Sequence, residues 1–76
     1  MVKSRISNNI RKLRFFHDEM TQQELAEVVG VTRQTIIAME QEKYSPSLEL
    51  AFRIALAFGL PLEGVFSYDT ESETDK

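Results

Sequence analysis

The chain has 76 residues, 42% of them hydrophobic and 28% charged, which fits one small globular domain and excludes the disordered and collagen-like classes. It contains no cysteine, so neither a disulfide framework nor a thiolate zinc site can stabilise it. The net charge of -3 at pH 7 is unevenly distributed, because residues 1–14 carry five cations and no acid.

The acidic excess lies at the other end of the chain. Residues 1–68 are neutral, whereas residues 69–76 carry four acids, one lysine and no apolar residue. A segment of this kind cannot offset its ordering entropy, so we expect a folded domain over residues 1–68 and a disordered acidic tail over residues 69–76. The amino terminus lacks the continuous apolar segment of a signal peptide, so we expect a cytoplasmic protein without membrane association.

The first helix is predicted by an apolar spacing near the amino terminus. Ile6, Ile10 and Leu13 recur with Phe15 or Phe16 at intervals that line one helix face. The cations of this stretch fall on the other faces. We expect both phenylalanines in the core or at an interface, because no basic sheet surface accompanies them as in a base-stacking platform.

A capping box marks the start of helix two. Thr21 is followed three residues later by Glu24, so each can bond the backbone N–H of the other. Gly30 follows the last apolar residue and can take the left-handed conformation that ends a helix. The apolar positions between these signals are Leu25, Ala26, Val28 and Val29.

A third helix follows after a tight turn. Thr32 is placed to cap it, and we expect it over about residues 33–41. Its apolar residues are Ile36, Ile37 and Met39. The residues left toward solvent are Arg33, Gln34, Thr35 and Ala38.

Two further helices complete an all-α prediction. Pro46 disfavours helix in the preceding residue, and Ser47 can cap a helix that starts at the next residue. Helix four is therefore expected over residues 48–58, with Gly59 as its stop. Pro61 suits the first turn of a short fifth helix. That helix carries the apolar residues Leu62, Val65 and Phe66. No strand-like alternation is visible along the chain.

The polar start of helix three is suited to reading DNA. In the major groove an arginine fork matches guanine, a glutamine amide matches adenine and a threonine methyl contacts thymine. Arg33, Gln34 and Thr35 supply these groups in consecutive positions. The sequence therefore predicts base contacts at this end of the helix.

Phosphate contacts are expected around the same helix pair. Gln22 or Gln23 lies beside exposed backbone N–H groups at the start of helix two, where the helix dipole favours an anion. Lys43, just after helix three, is placed for another backbone contact. Arg5 is the cation of helix one that we expect to face phosphate.

Three short sequence segments together form a specific motif. They are Thr21-Gln22-Gln23-Glu24-Leu25-Ala26, then Gly30-Val31-Thr32-Arg33-Gln34-Thr35-Ile36 with Glu40, then Pro46-Ser47-Leu48-Glu49-Leu50-Ala51. On these residues the chain resembles the phage-repressor-like helix-turn-helix family, of the Cro and lambda repressor type, to which XRE-like transcriptional regulators belong. The resemblance covers residues 3–68. It implies a five-helix lambda-repressor-like DNA-binding domain with helix three in the major groove.

The resemblance also implies roles for single residues. It makes Gln22 a phosphate contact and pairs an arginine of helix one with the glutamate that ends helix three. Arg14 and Glu40 match that pair, with Arg11 as the alternative arginine because the connection before helix two is one residue longer than usual. Taken together, the expected base contacts are Arg33, Gln34, Thr35 and Ala38, and the expected phosphate contacts are Arg5, Gln22, Gln23, Thr32 and Lys43.

Glu42 departs from the family pattern, which often has glycine there. If the backbone is left-handed at this position, a side chain costs roughly 1 kcal/mol, and the carboxylate would lie near the phosphates. Under that condition, weak DNA binding is one expected consequence.

These features predict a sequence-specific transcriptional regulator that binds a palindromic double-stranded DNA operator as a homodimer. Repressor is the leading interpretation, and the sequence leaves activator open. A two-fold dimer places its half-sites roughly 34 Å apart and so reads more base pairs than one helix can. The expected dimer surface is the fifth-helix region, with Leu60, Leu62, Val65, Phe66 and Tyr68. The alternative is a protein-interaction module on the same fold, such as an antitoxin whose main partner is a toxin protein.

No catalytic site, metal or cofactor is predicted. His17 is a lone histidine in a polar loop, without the ligand set of a metal site or a nucleophile to activate. The acidic tail does not have the spacing of a calcium-binding loop. An enzyme is therefore not expected.

Overall fold

A computed structural model describes residues 6–68 of the chain. In chain order, the described residues form β1 (Ile6–Asn8), α1 (Ile10–Phe16), α2 (Gln22–Val29), α3 (Arg33–Glu40), α4 (Leu48–Phe58), α5 (Leu62–Val65) and β2 (Phe66–Tyr68). Arg5 and the predicted disordered tail lie outside the described residues. Within this part of the chain, no helix has the length and apolar character needed to cross a membrane.

Three helices start at the capping residues expected from the sequence. The Thr21 hydroxyl accepts from the Glu24 backbone N–H at 3.0 Å, and the Glu24 carboxylate accepts from the Thr21 N–H at 2.8 Å, which completes the capping box. Thr32 caps α3 and Ser47 caps α4 in the same way, through their hydroxyl groups. The predicted starts of α2, α3 and α4 are confirmed.

The predicted glycine stops are also confirmed. Gly30 ends α2 with φ of 81°, and Gly59 ends α4 with φ of 67°. Both values lie in the left-handed region, which glycine enters without steric cost. These two stops set the short turns that let α2, α3 and α5 fold back on their neighbours.

A two-stranded antiparallel sheet corrects the all-α prediction. β1 pairs with β2 so that Ile6 lies opposite Tyr68 and Asn8 opposite Phe66. Ile6 therefore belongs to a strand rather than to helix one, and Phe66 to a strand rather than to helix five. Each strand has only three residues, too few for alternation to be recognised in the sequence.

The core is built from one side of each main helix. Its fully buried large side chains are Ile10, Leu25, Ile36, Met39, Ile54 and Val65. Phe15 and Phe16 are 62% and 70% exposed, so their predicted place in the core of this chain is wrong. The inward side of α1 is the side that carries Ile10. Arg14 lies four residues after Ile10 on that same side and takes the inward position in place of the phenylalanines.

Among residues 6–68, three residues other than glycine have left-handed backbones. Asp18 and Glu19, in the turn between α1 and α2, have φ of 60° and 54°, and Glu42 after α3 has φ of 61°. The Glu42 N–H donates to the Met39 carbonyl and the Lys43 N–H to the Ala38 carbonyl, the two bonds of a Schellman motif. The condition considered for Glu42 in the sequence is therefore met, because its backbone is left-handed.

We predict that Glu42→Gly raises the free energy of unfolding by about 1 kcal/mol, because glycine adopts positive φ without the steric cost of a Cβ atom. Urea denaturation of the purified protein measures the change. Glu42→Ala is the matched control, since it removes the carboxylate but keeps the Cβ. Equal stabilisation by both substitutions would assign the effect to the charge rather than to the backbone.

Candidate nucleic-acid interface

The two sides of α3 have opposite roles. Ile36 and Met39 are fully buried and fix the helix against the core. Arg33 and Gln34, in its first turn, are exposed, and within residues 6–68 their side chains make no hydrogen bond or ion pair. The helix therefore presents an arginine fork and a glutamine amide to an external partner from a rigid support.

Thr32 and Thr35 are more restricted than their neighbours. The Thr32 hydroxyl accepts from the Thr35 backbone N–H at 3.2 Å, and the two hydroxyl oxygens are 3.1 Å apart. Thr35 and Ala38 are half-buried. These residues offer methyl groups and small surfaces beside Arg33 and Gln34, while their position at the helix start is set by the cap.

The two glutamines at the start of α2 already have partners. The Gln22 side-chain amide donates to Glu40 Oε1 at 3.1 Å, and the Gln23 amide donates to Glu27 Oε2 at 3.0 Å. Each amide has a second N–H group that these bonds leave unused. Gln22 is half-buried and oriented toward the end of α3, whereas Gln23 is bonded along the exposed side of its own helix.

Arg14, rather than Arg11, pairs with Glu40. Arg14 Nε donates to Glu40 Oε2 at 2.6 Å and Nη2 donates to Oε1 at 3.1 Å, a bidentate geometry. The third guanidinium nitrogen, Nη1, donates to the Met20 carbonyl at 2.8 Å. The two side chains are only 14% and 7% exposed, so the pair is shielded from water.

Sequence reasoning missed a groove beside α3. It is an open depression of about 720 Å³ between α1, the turn before α2, and the second half of α3. Arg14 and Glu40 contribute to its lining, together with the exposed Gln41 and the half-buried Ile37. Ile37 and Gln41 are four residues apart, so the helical periodicity of the sequence already placed them on the same side of α3.

Asn8 is a second contact that the sequence did not reveal. Its amide donates to the Met39 carbonyl at 2.8 Å, and its side-chain oxygen accepts from the Ile10 backbone N–H at 3.1 Å. The Asn8 side chain thus bonds the first backbone N–H of α1 and the last turn of α3 at the same time. A single polar residue in a three-residue strand forms no repeating pattern, so the sequence could not predict that Asn8 connects α1 to α3.

The structure separates the proposed contacts into two groups. Thr32, Arg33 and Gln34 lie together at the start of α3, whereas Gln22 is bonded to Glu40 at its end. Lys43 is exposed just beyond that end, and Glu42 beside it is half-buried. No three His, Asp or Glu side chains of residues 6–68 are grouped so that they could hold a metal ion.

Comparison with known families identifies this architecture. Residues 10–65 match the family model described as helix-turn-helix. The chain belongs to the XRE-like family of helix-turn-helix transcriptional regulators. The matched range begins with α1 and ends with α5, so it includes the α2–α3 pair and the helices that support it.

Relatives of this helix-turn-helix regulator include uncharacterised HTH-type transcriptional regulators of archaea and bacteria. One from Methanocaldococcus jannaschii is 47% identical, over 87% of this chain and 98% of that protein. YgzD of Bacillus subtilis is 42% identical, over 88% of this chain and all of that protein. The cryptic phage CTXphi transcriptional repressor RstR of Vibrio cholerae is 36% identical, over 92% of this chain and 61% of that protein.

A solved structure shows the same fold. The crystal structure of a protein from Bacteroides fragilis, described as DNA-binding, superposes on this chain with a TM-score of 0.70 at 22% identity. The match covers 82% of this chain and 98% of the other. At this identity the match supports the arrangement of helices and no finer property.

We predict that Arg14→Met lowers the free energy of unfolding by roughly 3–5 kcal/mol, because it leaves the shielded Glu40 carboxylate without its cation. Glu40→Gln should also destabilise the domain, and Arg14→Met/Glu40→Gln should recover part of the summed loss. Chemical denaturation of the three variants completes a double-mutant cycle. Strict additivity would contradict the coupling that the bidentate geometry implies.

Proposed function

We propose that this helix-turn-helix regulator is a sequence-specific repressor that binds double-stranded DNA with α3 in the major groove. The observation that carries the proposal is the pair Arg33 and Gln34, which is exposed and free of partners within residues 6–68. Their helix is fixed from behind by two fully buried side chains, Ile36 and Met39. Repression rests on the similarity to the phage repressor RstR.

Base readout is assigned to the first turns of α3. The Arg33 guanidinium can donate two parallel hydrogen bonds to guanine, and the Gln34 amide can donate to and accept from adenine. Thr35 and Ala38 are assigned shorter contacts through methyl groups, because both are half-buried. Each good bidentate contact is worth about 1–3 kcal/mol against the wrong base.

Phosphate contacts are assigned to both flanks of the helix. Gln22 is the best supported, because its bond to Glu40 orients the amide and leaves an N–H group for a phosphate oxygen. Lys43 is exposed, and its side-chain ammonium has no hydrogen bond or ion pair within residues 6–68. Thr32, Gln23 and Arg5 complete the proposed set, with Arg5 outside the described residues. Glu42 weakens these contacts, because its negative carboxylate, next to Lys43 in the chain, repels phosphate.

A homodimer on a palindromic operator follows from the small reach of one helix. A single recognition helix covers only a few base pairs, and a two-fold dimer doubles the sequence that is read. The dimer surface proposed for this protein is the fifth-helix region, from residue 60 to residue 68. Leu60, Leu62 and Phe66 pack against the core, and Val65 is fully buried, which leaves Tyr68 at 54% exposure.

The alternative function is a protein-interaction module such as an antitoxin. The exposed pair Phe15 and Phe16, with ring centroids 5.5 Å apart in an edge-to-face arrangement, is the observation that favours it. Phosphate contacts make DNA affinity fall steeply with added salt. Absence of an enriched motif after selection from a random DNA pool would favour the interaction module.

We predict that Arg33→Ala and Gln34→Ala each relax base preference by about 1–3 kcal/mol at the position they contact, without changing stability. Selection of bound sequences from a random pool, followed by titration of single-base operator variants, measures the preference. Arg53→Ala is the control, since Arg53 lies on α4 and bonds Glu49 and the Val29 carbonyl. Unchanged selectivity in both α3 variants would reject α3 as the recognition helix.

We predict that Lys43→Ala weakens binding to all sequences alike and reduces the dependence of log affinity on log salt by about 0.9 per half-site, because one released counterion is lost. Fluorescence anisotropy at several salt concentrations gives the slope. Lys43→Arg should keep the slope, since it preserves the charge. A sequence-dependent loss would instead place Lys43 at a base edge.

A further inference from the structure

Ile37 lies on the outer side of α3, although it is apolar. The inner side carries Ile36 and Met39, both fully buried. Gln34 and Gln41, about two helical turns apart, are exposed on the opposite side. Ile37 comes one turn after Gln34 and one turn before Gln41, so it lies between them on the outer side, where it is half-buried.

The same residue lines the groove beside α3. Arg14, Gln22 and Glu40 line it too, and hydrogen bonds to the Glu40 carboxylate already connect these three side chains. Ile37 therefore presents aliphatic surface next to polar side chains that are held in place. A single isoleucine at a protein surface is common and by itself indicates no function. Here, however, the surface belongs to the side of α3 that the proposed function places against base edges.

We propose that Ile37 is a further base-reading residue, which contacts the C5-methyl group of a thymine in the major groove. This inference rests on the proposed function, because it requires α3 in that groove. It adds a residue to the base contacts assigned there, which are Arg33, Gln34, Thr35 and Ala38.

The chemistry of the major groove selects thymine for an apolar side chain. Guanine, cytosine and adenine present hydrogen-bond donors or acceptors there, whereas thymine adds an exposed methyl group to its acceptor oxygen. An isoleucine pressed against a donor or acceptor would exclude water from it without replacing the hydrogen bond, which is unfavourable. Against the methyl group, the same side chain removes apolar surface from water on both partners. Ile37 thus favours one base by attraction and disfavours the others by desolvation.

Ile37 is better suited to this contact than the methyl-bearing residues near it. A β-branched side chain such as isoleucine has one strongly preferred χ1 rotamer in a helix, so little conformational entropy is lost on binding. Ala38, on the other flank of the outer side, has a single methyl group close to the backbone. Thr35 is tied to the cap, because its hydroxyl lies 3.1 Å from that of Thr32. Of the three residues, Ile37 carries the largest apolar surface.

The spacing along α3 places the expected thymine near the base read by Arg33. A helix rises about 1.5 Å per residue, so Ile37 lies roughly 6 Å beyond Arg33, whereas stacked bases are about 3.4 Å apart. The projection of this separation on the DNA axis cannot exceed its length. The expected thymine therefore lies within about two base pairs of the guanine assigned to Arg33.

Replacement of single thymines by deoxyuridine tests the proposal, because this change removes the C5-methyl group and keeps the hydrogen-bonding groups of the base. The probe is a labelled duplex with the half-site that the natural chain selects from a random pool, and fluorescence anisotropy measures its affinity. At one thymine we expect the replacement to weaken binding of the natural chain about fourfold, the value of one buried methyl-sized group. In Ile37→Ala, the same replacement should leave the affinity unchanged.

Two further variants show whether the effect belongs to Ile37. Ile37→Gln resembles the neighbouring outer positions, introduces a good helix former and should also be insensitive to the replacement. Val28→Ala is the matched control, since Val28 is a β-branched residue that is 62% exposed on α2. It should retain the whole effect. Circular dichroism should show all three variants folded.

A purely structural role for Ile37 gives a different result. If Ile37 only supported the groove, Ile37→Ala would weaken binding to the thymine duplex and to the deoxyuridine duplex by the same factor. That outcome would overturn the proposal. A natural chain that is insensitive to deoxyuridine at every thymine of the half-site would overturn it as well.

Failure of this proposal is distinguishable from failure of the proposed function. Arg33→Ala should lose its guanine preference and keep the sensitivity to deoxyuridine. Base selectivity that depends on Arg33 and Gln34, without a methyl effect that depends on Ile37, would leave the proposed function standing and reject Ile37 as a base contact. A random pool that yields no enriched half-site would reject both.

Discussion

The Glu40 carboxylate is the contact on which the orientation of α3 depends. Arg14 reaches it from α1 with two N–H groups and Gln22 reaches it from α2, while the same arginine holds the Met20 carbonyl in the intervening turn. A shielded charge without partners is costly, so arrangements that break any of these bonds are strongly disfavoured. We interpret the network as a device that sets the angle between three helices, since the attraction itself is largely cancelled by desolvation.

That orientation matters because residues 1–68 have no net positive charge with which to attract DNA. Residues 1–68 are neutral as a whole, so binding depends on where single cations and amides lie. Gln22 connects the two requirements, because one N–H group of its amide is held by Glu40 while the other is left for the phosphate contact proposed above. A residue that the sequence pattern predicts as a ligand contact is thus also a member of the structural network.

The parts of the fold that could be predicted are those with local chemical causes. Thr21, Thr32 and Ser47 cap helices through their own hydroxyls, and Gly30 and Gly59 end them through their backbone freedom. The two strands could not be predicted, because three residues are too short for a periodic pattern. The core position expected for Phe15 and Phe16 is wrong because apolar character alone does not show which side of a short helix faces inward. Arg14 takes that side through Glu40, a partner distant in sequence.

The same ambiguity concealed the outer side of α4. Nine of its eleven residues are apolar, so its sequence predicts burial all round without indicating which neighbour covers each side. The structure covers only one side with the chain's own core and leaves Leu48, Phe52 and Leu56 in water. Which side is covered depends on side chains distant in sequence. Leu50 and Ile54 are buried in the same cluster as Leu25, Ile36 and Val65, and the composition of α4 alone carries no record of those partners.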